Sequence, residues 1–179
     1  MRTFRFLTST MVVLPLLMSG CTNSPTEPTV NLGKTTLGEF LQNPSYSAWY
    51  EPGYRAYPTE DSAAFHHAVN RIADQINAGE GSYKMVMVVK PNCSCQHTQR
   101  EMPRVMKTLD RARFLHENIE VWITDSPLNG IDEIKDLYRI GVAPTFLLLK
   151  DNTELGRIEV EDTTSGVEIS TELANIFEQ

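Results

Sequence analysis

The amino-acid sequence predicts an α/β domain in which a mixed central sheet is flanked by helices, with an aromatic arm and a further helix ahead of it. Three observations carry that expectation. From residue 59 onward, segments of helical period alternate with short apolar runs. One of these runs, Met85 to Val89, is apolar throughout, the pattern of a strand buried on both faces. Two later runs, Thr145 to Leu149 and Leu155 to Val160, flank Asp151-Asn152-Thr153 and predict a hairpin. The 179 residues suit one globular domain plus a terminal segment. A formal net charge of −7 argues against nucleic-acid binding by bulk charge. Three cysteines are too few for a disulfide-scaffolded miniprotein.

The first element is an address. Arg2 and Arg5 form a short basic region, and Phe6 to Met18 is an apolar stretch broken by Thr8, Ser9 and Thr10. Small residues Ser19 and Gly20 lead into Cys21, so residues 1–20 read as a cleavable signal peptide. Met18-Ser19-Gly20-Cys21 resembles the lipobox of bacterial lipoproteins. The resemblance implies diacylglycerol on the Cys21 thiol, cleavage before it, and a palmitate-class acyl chain on the new N-terminus. Several acyl chains together anchor stably to a membrane. Thr22, where an Asp would retain the protein, implies an outer-membrane anchor facing the periplasm.

Residues 21–36 read as a flexible tether, because Thr22 to Gly33 is rich in Pro, Thr, Ser and Asn. Cleavage would leave fourteen basic against 23 acidic side chains. The domain spans 37–179. Phe40, Tyr46, Trp49, Tyr50, Tyr54 and Tyr57 crowd its first residues, and such aromatic density predicts an arm packed on the domain. A carbohydrate-binding platform is the alternative reading. Thr59 caps a predicted helix from Glu60 to about Ala78, ended by Gly79 and Gly81. Phe65, Val69, Ile72, Ala73 and Ile76 make its apolar stripe. After the strand at 85–89, a helix is expected from Gln96 to Phe114, kinked at Pro103. Ile119 to Ile123 reads as a strand parallel to the first, Ile131 to Arg139 as a helix, and Val167 to Phe177 as the closing helix.

The strand, the cysteine loop, the proline-bearing helix and Tyr138-Arg139-Ile140-Gly141-Val142-Ala143-Pro144-Thr145-Phe146 together resemble thioredoxin. The resemblance covers Tyr83 to Phe177 and implies a thioredoxin-like fold built of βαβ and ββα units. It also implies that Pro144 is the cis proline that sits against the active-site cysteine. Trp49-Tyr50-Glu51-Pro52-Gly53-Tyr54 and Gln99-Arg100-Glu101-Met102-Pro103-Arg104 resemble a narrower group of bacterial thioredoxin-family proteins with a Cys-x-x-Ser loop.

The loop here is Pro91-Asn92-Cys93-Ser94-Cys95-Gln96-His97-Thr98, a C-x-C spacing. Thioredoxins place the helix proline eight residues after the nucleophile, and Pro103 lies eight residues after Cys95. The resemblance therefore makes Cys95 the nucleophile and puts Thr98 where the resolving cysteine would be. Ser94 replaces the usual aromatic residue, and the usual buried acid falls at Val89. A cysteine at a helix N-terminus has its thiol pKa lowered, and a protonated His97 would lower it further. Cys93 is then a candidate resolving thiol. These residues point to an envelope thiol–disulfide oxidoreductase acting on protein thiols or disulfides. The alternative is a redox-inactive module that docks an envelope protein partner. No cofactor is expected. A metal site at Cys93, Cys95 and His97 lacks an evident fourth ligand. His66, His67 and His116 read as surface or interface histidines.

Overall fold

The computed structural model describes residues 31–58, 62–92, 96–160 and 168–179. The described residues form a mixed α/β domain with a five-stranded sheet in the order β1-β3-β2-β4-β5. The strands are β1 (Gly33–Thr35), β2 (Tyr83–Val89), β3 (Ile119–Ile123), β4 (Thr145–Lys150) and β5 (Thr153–Glu159). Strand β2 runs parallel to β3 and antiparallel to β4, β4 is antiparallel to β5, and β1 is antiparallel to β3. Parallel pairing of the first two core strands and antiparallel pairing of the last two match the sequence reading.

The N-terminal arm is helical. Helix α1 (Leu37–Gln42) opens with a capping box: Thr36 Oγ1 accepts from the Glu39 amide at 3.1 Å, and the Glu39 carboxylate accepts from the Thr36 amide at 3.0 Å. Helix α2 (Pro44–Ala56) is capped by Asn43, whose side chain accepts from the Ser45 amide, with Pro44 at the first helical position. Phe40 and Tyr46 stack at 4.6 Å and Trp49 meets Phe40 edge-on, so the aromatic residues build a small core of their own. Tyr54 ties this layer down, because its hydroxyl donates to Asp110 Oδ2 at 2.6 Å across the interface.

Helix α3 (Ala63–Asn77) starts later than the sequence suggests. Its cap is Ser62, which accepts from the Phe65 amide; Thr59 lies outside the described residues. Helix α4 (His97–Arg111) carries Pro103 in its interior and ends three residues before Phe114. The segment read as a helix over 131–139 is only one turn, α5 (Asp132–Lys135). Arg139 adopts a left-handed φ of 51°, and the Ile140 amide returns to the Lys135 carbonyl, which closes the turn. Helix α6 (Ile169–Phe177) ends the domain.

The tether reading of 21–36 also needs correction. Residues 33–35 belong to the sheet and Thr36 to the first helix cap. A three-residue edge strand is held by backbone pairing and leaves no alternation to read in the sequence.

Side chains alternate across β2. Val86 and Val88 join Trp122, Ile134, Ile140 and Leu147 in a core under the α5 segment. Tyr83, Met85 and Met87 face the other way, and the Tyr83 ring meets Phe177 of α6 at 5.1 Å. Arg71 of α3 clasps Glu178 and Asn175 at the end of α6, which joins the two helices. Among the described residues, no helix is long and apolar enough to cross a membrane.

Candidate functional site

Register places the candidate residues. Thr145 pairs with Val88, and Ile123 pairs with Val89. The β2–α4 loop, the segment after β3 and Pro144 before β4 therefore meet at one end of the sheet. Loops at the end of a rigid sheet are where α/β domains place their chemistry. Cys93, Ser94 and Cys95 lie outside the described residues, as does Cys21. The residues on either side of the cysteines are held firmly.

Two hydrogen bonds close that loop. The Lys90 amide donates to Thr98 Oγ1 at 3.0 Å, and the Gln99 side-chain amide donates to the Pro91 carbonyl at 3.2 Å. Thr98 is 1% exposed. Its hydroxyl accepts from the main chain, and among the described residues no acceptor takes its own proton. Gln96 leads into α4 with a left-handed φ of 57° and offers no side-chain cap to the helix. His97 is the first residue of α4.

On the facing side, Pro144 is buried and follows a cis Ala143–Pro144 bond. Thr145 Oγ1 donates to the Val142 carbonyl at 2.7 Å and the Pro144 carbonyl accepts from the Val160 amide at 3.1 Å, so both flanks of the proline are fixed. The third loop folds on Asp125, whose carboxylate accepts from the backbone and side-chain amides of Asn129. Lys90 Nζ donates to Ser126 Oγ at 3.1 Å and bridges the first loop to the third.

The structure thus brings His97, Thr98 and Pro144 to one sheet end. It adds Lys90, Gln99 and Ser126, to none of which the sequence assigned a role at the site. Their role arises from side-chain bonds across loops, and no local pattern announces those. Among the described residues, no three His, Cys, Asp or Glu side chains converge as a metal site would require. His116 is exposed and its Nε2 pairs with Asp110 Oδ1 at 2.6 Å, beside the Tyr54 hydroxyl.

No family model matches the chain. No curated protein is detectably similar to it either. Among solved structures, the chain resembles a crystal structure of a protein of unknown function from Pseudomonas aeruginosa. The two are 15% identical with a TM-score of 0.43, and the match covers 69% of this chain and 70% of that one.

The clamp at Thr98 has a measurable weight. Thr98→Val keeps the shape but removes the acceptor, leaving the part-buried Lys90 amide without its partner. The expected loss is about 1–3 kcal/mol of folding stability. Urea unfolding checks it, and a loss below about 0.5 kcal/mol would mean that water replaces the threonine.

Proposed function

We propose that the chain is a thioredoxin-type thiol–disulfide oxidoreductase of the cell envelope, anchored to the membrane through lipid on Cys21. The observation that carries this reading is the register that puts Pro144 and the cysteine-bearing β2–α4 loop at the same sheet end. The strand order, the crossover through a proline-bearing α4 and the antiparallel β4–β5 hairpin support the same arrangement.

In the proposed step, the Cys95 thiolate attacks one sulfur of a substrate disulfide. A mixed disulfide forms and the other substrate sulfur leaves as a thiolate, which takes a proton from solvent. The Cys93 thiolate then attacks the Cys95 sulfur. That releases the second substrate thiol and leaves a Cys93–Cys95 disulfide, so the substrate gains two electrons and the protein loses two. An external dithiol of the envelope restores the reduced pair. Cys95 immediately precedes Gln96 and the fifteen-residue helix α4, where the helix dipole favours the thiolate. Thr98, whose hydroxyl proton meets no acceptor among the described residues, is the proposed donor to that sulfur.

A redox titration tests the reading. The full chain is equilibrated over a glutathione series, alkylated and weighed. A reversible loss of two hydrogens that disappears in both Cys93→Ser and Cys95→Ser is the expected result. Glutathione adducts on Cys95 alone would reduce the mechanism to a monothiol one. Two thiols that never change state across the series would leave only a docking role for the fold.

A further inference from the structure

A cleft lined by a different set of residues is a second candidate site. This cleft, of about 500 Å³, opens between the end of α2 and the starts of α3 and α6, with α4 as its floor. That volume is within the range of small-ligand sites. Its lining includes Ala56, Tyr57, Ser62, Arg100, Arg104 and Glu168.

Arg100 and Arg104 stand one helical turn apart on α4. Glu101, which is buried, draws them together: it accepts from Arg100 Nε with one oxygen and lies 3.5 Å from Arg104 Nη1 with the other. The Arg104 guanidinium also rests 5.4 Å from the centre of the Tyr57 ring. Each guanidinium has five N–H donors in a planar fork, and Glu101 engages one on each. Among the described residues no other acceptor reaches either group, and their side chains remain 38% and 40% exposed. The α6 side supplies the opposite polarity. Glu168 Oε1 accepts from the Tyr57 hydroxyl at 2.9 Å, and its other oxygen has no partner among the described residues. Burial first, and then the Glu168 carboxylate, push the Tyr57 hydroxyl up to about 12, so it stays a donor at neutral pH.

The balance of charge narrows the ligand. Two guanidinium groups meet the carboxylates of Glu101 and Glu168, and Glu172 of α6 lies close enough to Glu101 to feel its charge, so the cleft has no excess positive charge for a multiply charged phosphate. A single carboxylate with hydrogen-bond donors beside it suits both walls, and bidentate arginine pairing favours its planar shape. We propose that the cleft is a peptide-binding subsite, in which Arg100 and Arg104 hold a peptide carboxylate and Glu168 accepts from the neighbouring peptide N–H. The carboxylate is that of an acidic side chain or of a chain terminus.

The test is a calorimetric titration of the full chain carrying Cys93→Ser and Cys95→Ser, which keeps the outcome separate from the redox reading. The probes are acetyl-aspartate amide, acetyl-asparagine amide, acetyl-alanine with a free carboxylate, and inorganic phosphate. Saturable binding of either acid, at least about tenfold tighter than the asparagine probe, is the expected result. Which acid binds assigns the side-chain or chain-end source. Arg104→Gln should weaken binding about tenfold or more. Ala56→Trp, at an exposed position that makes none of these bonds, should block the cleft with the ion pairs intact. The second variant decides the matter if circular dichroism shows that Arg104→Gln does not fold. Binding of neither acid more tightly than the asparagine probe, tighter binding of phosphate, no saturable binding, or indifference to Ala56→Trp would each overturn the proposal.

Discussion

Phe177→Ala is expected to remove about 3–5 kcal/mol of folding stability, a large share of the ~5–15 kcal/mol that a domain possesses. Helix α6 has nine residues, too few to persist by helix propensity alone. It exists because Ile169, Leu173, Ala174, Ile176 and Phe177 are buried. Phe177 is its largest anchor, 1% exposed, with Tyr83 of the central strand at 5.1 Å and Phe114 at 6.1 Å. Truncation leaves a cavity at the junction of sheet and helix and loosens the clasp that Arg71 makes with the same helix end. The urea midpoint should fall while the slope of the transition holds. A loss below about 1 kcal/mol would mean that the helix closes over the gap without cost.

The second large effect is expected at Gly130→Val. Gly130 has a φ of +80°, and a Cβ there would come within 2.5 Å of Leu32 Cβ and 3.0 Å of the Gly33 amide nitrogen. Those atoms are backbone or directly attached to it, so no side-chain rotation relieves the clash. The left-handed conformation costs roughly 1–2 kcal/mol for a residue with a Cβ, and the forced displacement about 1–3 kcal/mol more. Gly79→Val is the control: its φ is +69°, but nothing lies within 4 Å of the new Cβ. That variant should show the conformational cost alone. The excess at Gly130 should appear as faster amide exchange in β1, since the clash drives Leu32 and Gly33 away from the loop. Equal destabilisation of the two variants would show that β1 follows the loop without strain.

How much of this was legible in the sequence depended on how local the cause was. The apolar run of β2 and the bounds of β3 could be read directly, because burial on both faces leaves an uninterrupted hydrophobic signature. The hairpin was legible too, and its two central residues, Asp151 and Asn152, take φ values of 52° and 64° as such turns require. The third strand partner, β1, was not. Gly33-Lys34-Thr35 carries no alternating pattern and is held through main-chain pairing with β3. Helix α5 stops at Lys135 without a glycine or proline to mark its end, and the left-handed residue that follows it is an arginine, Arg139. At the site, His97, Thr98 and Pro144 could be picked out by resemblance alone. The Lys90–Thr98 and Gln99–Pro91 clamps exist only once β2 and α4 have closed the loop between them. The cleft beside α4 draws on four helices, and the spacing of Arg100 and Arg104 alone would not distinguish it from a solvated helix face.

The direction of β1 fixes where the chain joins the sheet. Because β1 is antiparallel to β3, with Gly33 opposite Ile123, the polypeptide arrives at the end where β2 and β3 finish and the cysteine loop begins. On the proposed anchoring at Cys21, twelve residue-to-residue steps separate the lipidated cysteine from Gly33. Fully extended they span at most about 43 Å. The proposed leash would thus be fastened to the end that carries the proposed site rather than to the far side of the molecule. On that proposal this end would be confined to a shallow layer over the bilayer, whose depth is set by tether length and is independent of the fold's own size. Under the proposed function, disulfides carried by proteins close to the membrane surface would fall inside this layer, and those deeper in the periplasm would lie out of reach.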